Sequence, residues 1–168
     1  MPEVRDQVRE LAVQACQALF GEYGVELTSI ERQDAPTVQM LYCGILGFTG
    51  DEMRGSAVLA ATKQTLVDSN PIQGGSPRDW IAELVNQFLG RLKLRLMARK
   101  VIIYLATPVV LRGEHLSLEA RGPVKPLWFQ RANGDTLGLW LDLETPEGFV
   151  LAEADQEQAP EVGEFTLL

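Results

Sequence analysis

The chain of 168 residues has one histidine, two cysteines and no apolar run of about 18 residues. Each shortage excludes something. Zinc and copper sites need several Cys and His at short spacing. Here Cys16 and Cys43 stand far apart among apolar neighbours, and His115 is alone. No zinc or copper site of the chain's own is expected, and the cysteines read as a reduced, buried pair. A Ser-His-Asp or Cys-His hydrolase would have to use His115, in the strand-like stretch His-Leu-Ser-Leu-Glu-Ala, and is disfavoured. Without a long apolar run no membrane-spanning helix is expected. The opening Met-Pro-Glu-Val-Arg-Asp has no apolar signal core, so a cytoplasmic location is expected.

Positive charge is also short. Fifteen Lys and Arg face 23 Asp and Glu, a formal net charge of −8, which argues against nucleic acid as a partner. The excess is local. Residues 144–168 carry seven acids and no Lys or Arg, leaving the rest close to neutral. The expected organisation is one domain over residues 1–143 and an acidic C-terminal tail over 144–168. At this length roughly 70% of the unfolded chain's surface can be buried, so the core needs no staples.

Along the chain, Val4, Val8, Leu11, Ala12, Ala15 and Leu19 recur at helical spacing, which predicts an amphipathic helix over 3–20. Gly21 and Gly24 end it. A strand is expected over 25–31. A hairpin over 38–61 turns at Gly50 and Asp51, and a short helix over 62–67 follows it. The unbroken apolar run Val-Ile-Ile-Tyr-Leu-Ala over 101–106 reads as a buried strand, and 109–113 as a connection. Stretches 114–121, 124–131 and 136–143 read as an antiparallel meander, with turns at Gly122-Pro123 and Asn133-Gly134-Asp135. Phe149, Val150, Leu151 and Phe165 could pin parts of the tail to the body. Helix, hairpin, helix, meander gives an α+β fold, two long helices packed on a mainly antiparallel β-sheet.

The second long helix, over 77–97, carries two messages. Ile81, Leu84, Val85, Phe88, Leu92 and Leu96 fall on one side of a wheel turning about 100° per residue. Asp79, Glu83, Asn86 and Gly90 share the other. Ser76 is a natural N-cap, Pro77 suits the first helical position, and Asp79 sits three residues after the cap. That makes Asp79 most simply a helix-start residue. An asparagine in mid-helix is mildly disfavoured, so Asn86 hints at a task.

In Asp79-Trp-Ile-Ala-Glu83-Leu-Val-Asn86-Gln-Phe-Leu-Gly90 the chain resembles the CheC/CheX/FliY group of chemotaxis phosphatases, most closely its CheX members. The group's signature is Asp or Ser, three residues, Glu, two residues, Asn, then a proline some twenty residues on, here Pro108. The glycine-bearing hairpin from Gly47 to Gly55 adds to the likeness, which covers roughly 3–143. The resemblance implies a CheC-like fold and a protein phosphatase acting on the phospho-aspartate of a response-regulator receiver domain of CheY type. Asn86 would orient the attacking water, and Glu83 would pair with the receiver's lysine. Asp79, Gly90 and Pro108 would serve partner binding. Gly90 lets a partner's backbone come close. The resemblance implies no cofactor of the chain's own, Mg²⁺ held by the receiver, and a homodimer made by joining sheets. In the first helix, Glu10-Leu-Ala-Val13 has valine where two-site members repeat the asparagine, so one site per chain is expected. The alternative is a non-catalytic CheX-like module that binds a receiver or another signalling protein. A purely structural homo-oligomer is a third, weaker reading.

Overall fold

The computed structural model describes residues 3–31, 40–114, 116 and 124–154. His115, the strand expected over 114–121, the Gly122-Pro123 turn and Phe165 lie wholly or mostly outside them. The elements run α1 (Val4–Glu22), β1 (Thr28–Ile30), β2 (Met40–Thr49), β3 (Arg54–Thr62), α2 (Lys63–Ser69), α3 (Pro77–Met97), β4 (Tyr104–Leu105), β5 (Val109–Glu114), β6 (Leu127–Gln130) and β7 (Thr136–Glu144). Every strand pairing is antiparallel, in the order β1-β6-β7-β3-β2. Both β4 and β5 line the outer edge of β2. The architecture is α+β, with the helices on a seven-stranded sheet.

Alternation along β2 decides which sheet face receives the helices. Tyr42, Leu46 and Phe48 are buried and belong to the same core cluster as Ile81, Val85 and Phe88 of α3. Gly44 lies between them, and a Cβ built on it would meet the Ile81 carbonyl oxygen at 2.8 Å. The helix therefore rests on the backbone of β2. On the opposite face Ile45 pairs with Val58 and Val109, and Trp140 pairs with Val58. Val109 and Leu111 there are 57% and 48% exposed.

Two strand readings change. Residues 101–106 do not form a fully buried strand. Val101 and Ile103 are buried, Ile102 and Tyr104 are exposed, and only Tyr104–Leu105 joins the ladder. An edge segment has one side against the core and one against water, so an unbroken apolar run is no sign of two-sided burial here. Residues 109–113 are not a connection but most of β5, because β2 still has an unpaired edge to fill. Between β4 and β5 the register slips. Phe48 faces Leu105 and Ile45 faces Val109, so four steps on the edge strand match three on β2. That extra residue is a β-bulge, and Pro108, with no N–H to donate, sits in it.

Beyond β7 the chain returns to the body. Leu151 is buried in the core cluster, Phe149 packs against it, and Arg99 Nη1 donates to the Ala152 carbonyl at 3.2 Å. Both cysteines are free and buried, and burial pushes the Cys43 thiol up to about 11 and that of Cys16 further. Thiolate is the reactive form. The folded protein should consume almost no alkylating reagent at pH 8, and two equivalents in denaturant. A fast native reaction would show that one of these sites opens.

Candidate functional site

Helix α3 is 21 residues long, and its ends are well made. Ser76 Oγ accepts from the Asp79 backbone N–H at 3.3 Å, and Pro77 occupies the first turn. At the far end Lys100 takes φ 64, and the Val101 N–H returns to the Leu96 carbonyl at 3.0 Å. Trp80, Ile81, Leu84, Val85, Phe88, Leu89, Leu92 and Leu96 are buried. Each buried side chain of this size contributes roughly 1.5–3 kcal/mol by leaving water, so α3 is a rigid mount.

Glu83 and Asn86 project from the exposed side of that mount, and Gly90 follows half-buried one turn on. Among the described residues the Asn86 carboxamide makes no hydrogen bond, so its donors and its acceptor are free for a visitor. Glu83 is held. Its Oε1 accepts from Gln87 Nε2 at 2.9 Å. Gln87 Oε1 in turn accepts from the Tyr23 hydroxyl at 2.8 Å. Asp79 stands a turn earlier, exposed, with its carboxylate 3.4 Å from the Arg78 guanidinium. Its backbone is part of the N-cap, as its spacing from Ser76 predicts. Pro108 is on a different element. Its bulge opens into β5, whose Val110 pairs with Gly44, the residue under Ile81 and Val85. The bulge is thus one strand removed from the turn that carries Glu83 and Asn86. Trp80 packs inward, with its indole N–H donated to Ser69 Oγ at 2.9 Å.

Tyr23 and Gln87 are the contacts that sequence reasoning missed. A Glu–Gln pair at i, i+4 is readable in a helix, so Gln87 could have been found. Tyr23 could not, because its role depends on how α1 packs against α3. That packing is fixed in part by an ion pair between Arg91 and Glu22. Among the described residues no group of three or more His, Cys, Asp or Glu is placed to hold a metal ion, and no helix is long and apolar enough to cross a membrane.

This fold, a single antiparallel sheet with a long helix laid on β2 and its neighbours, is similar to that of solved CheC/CheX/FliY chemotaxis proteins. No family model matches the sequence, and no curated protein matches it either. The likeness is carried by solved structures. The chain is similar to chemotaxis protein CheX from Vibrio vulnificus, with TM-score 0.69 and 16% identity, over 82% of this chain and 99% of that one. It is similar to CheX from Desulfovibrio desulfuricans, with TM-score 0.66 and 21% identity, over the same shares. A third similar structure is the CheX-CheY-BeF₃-Mg²⁺ complex from Borrelia burgdorferi, with TM-score 0.63 and 14% identity, over 80% of this chain and 96% of that one.

Proposed function

We propose that this protein is a phosphatase for the phospho-aspartate of a response-regulator receiver domain. One observation carries the reading. Glu83 and the unpartnered carboxamide of Asn86 are displayed outward, one turn apart, on a buried and rigid helix. The fold adds support, since a protein sharing it has been captured with CheY, BeF₃ and Mg²⁺.

The chemistry asks little of such a site. An acyl phosphate is already a reactive electrophile, and phosphoryl transfer needs positioning more than covalent help. Water attacks phosphorus, the bond from phosphorus to the aspartyl oxygen breaks, and the carboxylate leaves. An amide can donate to and accept from the attacking water and so fix its line of approach. Asn86 takes that role. Glu83 pairs with the receiver's lysine and sets the register of docking. Mg²⁺ belongs to the receiver. In this reading two copies pair through their sheets, with the exposed Val109 and Leu111 at the contact.

The test follows loss of label from a phosphorylated receiver. Wild type should accelerate it, and Asn86→Ala should not. Equal decay with both proteins would sink the catalytic reading. Tight binding without acceleration would make the protein a receiver-binding module instead. Gly90 gives a check with opposite signs. A Cβ there meets nothing within 4 Å. Gly90→Ala should therefore raise stability by about 0.5–1 kcal/mol, the usual gain in a helix. If a partner's backbone passes close to it, the same change should weaken receiver binding. A titration beside a thermal melt reads both.

A further inference from the structure

We infer that Gln87 and Tyr23 are positioning residues that hold Glu83 ready for its partner, an inference that rests on the receiver-directed reading of Glu83. An exposed glutamate ordinarily samples many rotamers, and ordering it on binding costs affinity. Glu83 is tethered before any partner arrives. Its Oε1 accepts from Gln87 Nε2 at 2.9 Å, and among the described residues its Oε2 has no partner. One carboxylate oxygen is anchored and the other is presented, which suits an ammonium group arriving from outside.

The tether is held in turn. A carboxylate only accepts, so the Gln87 amide must face Glu83 with its NH₂. Its carbonyl then faces Tyr23, whose hydroxyl donates at 2.8 Å. Tyr23 is fixed by its ring, which meets the Trp80 ring edge-on at 4.8 Å and 90°. Trp80 is buried and donates to Ser69, and the Ser69 hydroxyl donates to the Thr65 carbonyl at 2.8 Å. The series runs from α2 through α3 and the end of α1 to the exposed carboxylate. Every hydrogen bond in it has one available direction.

The test uses the full chain with a receiver activated by beryllofluoride and Mg²⁺ for binding, and a phosphorylated receiver for turnover. Gln87→Leu removes the donor and keeps the side chain's bulk and helix preference. It should weaken receiver affinity about fivefold, the net worth of one ordinary protein hydrogen bond. The turnover rate at saturation should stay within about twofold, because Asn86 is untouched. Tyr23→Phe keeps the ring contact with Trp80 and should give a smaller loss in the same direction. In a Glu83→Ala background neither change should cost anything further, since a group acting through Glu83 has nothing left to position. An equal loss in that background would overturn the inference, because the residues would be acting elsewhere. If wild type accelerates hydrolysis and Glu83→Ala weakens binding but Gln87→Leu matches wild type, the inference falls and the phosphatase reading stands. If wild type neither binds nor accelerates, both fall. The contact has its own readout without a receiver. The Gln87 side-chain amide resonances should shift in both Glu83→Ala and Tyr23→Phe, and no shift in either would show the tether absent in solution.

Discussion

Gly44→Val is expected to cost at least about 3 kcal/mol, the upper end for an overpacked core. Even the first added carbon would lie 2.8 Å from the Ile81 carbonyl oxygen and 2.9 Å from Val85 Cγ1. A side-chain neighbour could turn aside, but a backbone carbonyl of a helix cannot move alone. The whole of α3 would have to lift. Lifting it strips contacts from Leu84, Phe88 and Leu92 along the same face and leaves voids, and a void adds its own cost. Urea unfolding reads the result as a lower midpoint at unchanged slope. A midpoint equal to that of wild type would mean that α3 does not rest on β2 at this point. Gly44→Ala adds the same first carbon, so it too should lower stability, by less than valine does, and should change the height of the turn bearing Glu83 and Asn86.

Asn86→Ala should act the other way round, stabilising the fold slightly and removing the proposed activity. The residue is exposed and, among the described residues, its carboxamide is unpartnered. Nothing in the core loses a contact, and alanine is the better helix former by a few tenths of a kcal/mol. Receiver dephosphorylation should nonetheless fall by about 10²-fold or more, the usual cost of losing one preorganised group at a reacting centre. Two relatives of this variant sharpen the expectation. Asn86→Gln keeps the amide but moves it by a methylene, and a misplacement of about 1 Å is enough to cost about 10²-fold. Asn86→Asp keeps the shape but brings a negative charge towards phosphate and loses both donors. All three should be slow for different reasons. Initial rates with excess phosphorylated receiver, set beside thermal melts, separate loss of chemistry from loss of fold.

Helix α3 was legible because its physics is local. Ser76, Pro77 and the spacing of Ile81, Leu84, Val85, Phe88, Leu92 and Leu96 specify its start and its buried side without reference to the rest of the chain. The same spacing puts Glu83 and Asn86 outward. The two long strands of the hairpin were legible for a similar reason, since the turn at Gly50 and Asp51 fixes which residues meet. What sequence reasoning missed depends on long-range pairing. Residues 109–113 have the composition of either an edge strand or a link, and only the open side of β2 decides between them. The apolar run over 101–106 could not reveal that Ile102 and Tyr104 face water. Tyr23 gives no local sign of its bond to Gln87, because the two are 64 residues apart in the chain.

The bulge at Pro108 sets the phase of the edge strand. Leu105 is on the helix side of the sheet opposite Phe48, and at strict alternation Val109 and Leu111 would follow it there. The one extra residue hands that side to Val110 and Arg112 instead, and turns Val109 and Leu111 to the open face. Which side of this edge is greasy is therefore a matter of parity. Straightening the bulge at unchanged length would exchange the two sides without altering any residue of β5, whereas deleting one residue between 106 and 108 would match three steps with three and leave Val109 and Leu111 on the open face. Pro108 in this light works like a punctuation mark, absorbing the extra residue so that the surface offered beyond the helix layer stays the same from one copy of the protein to the next.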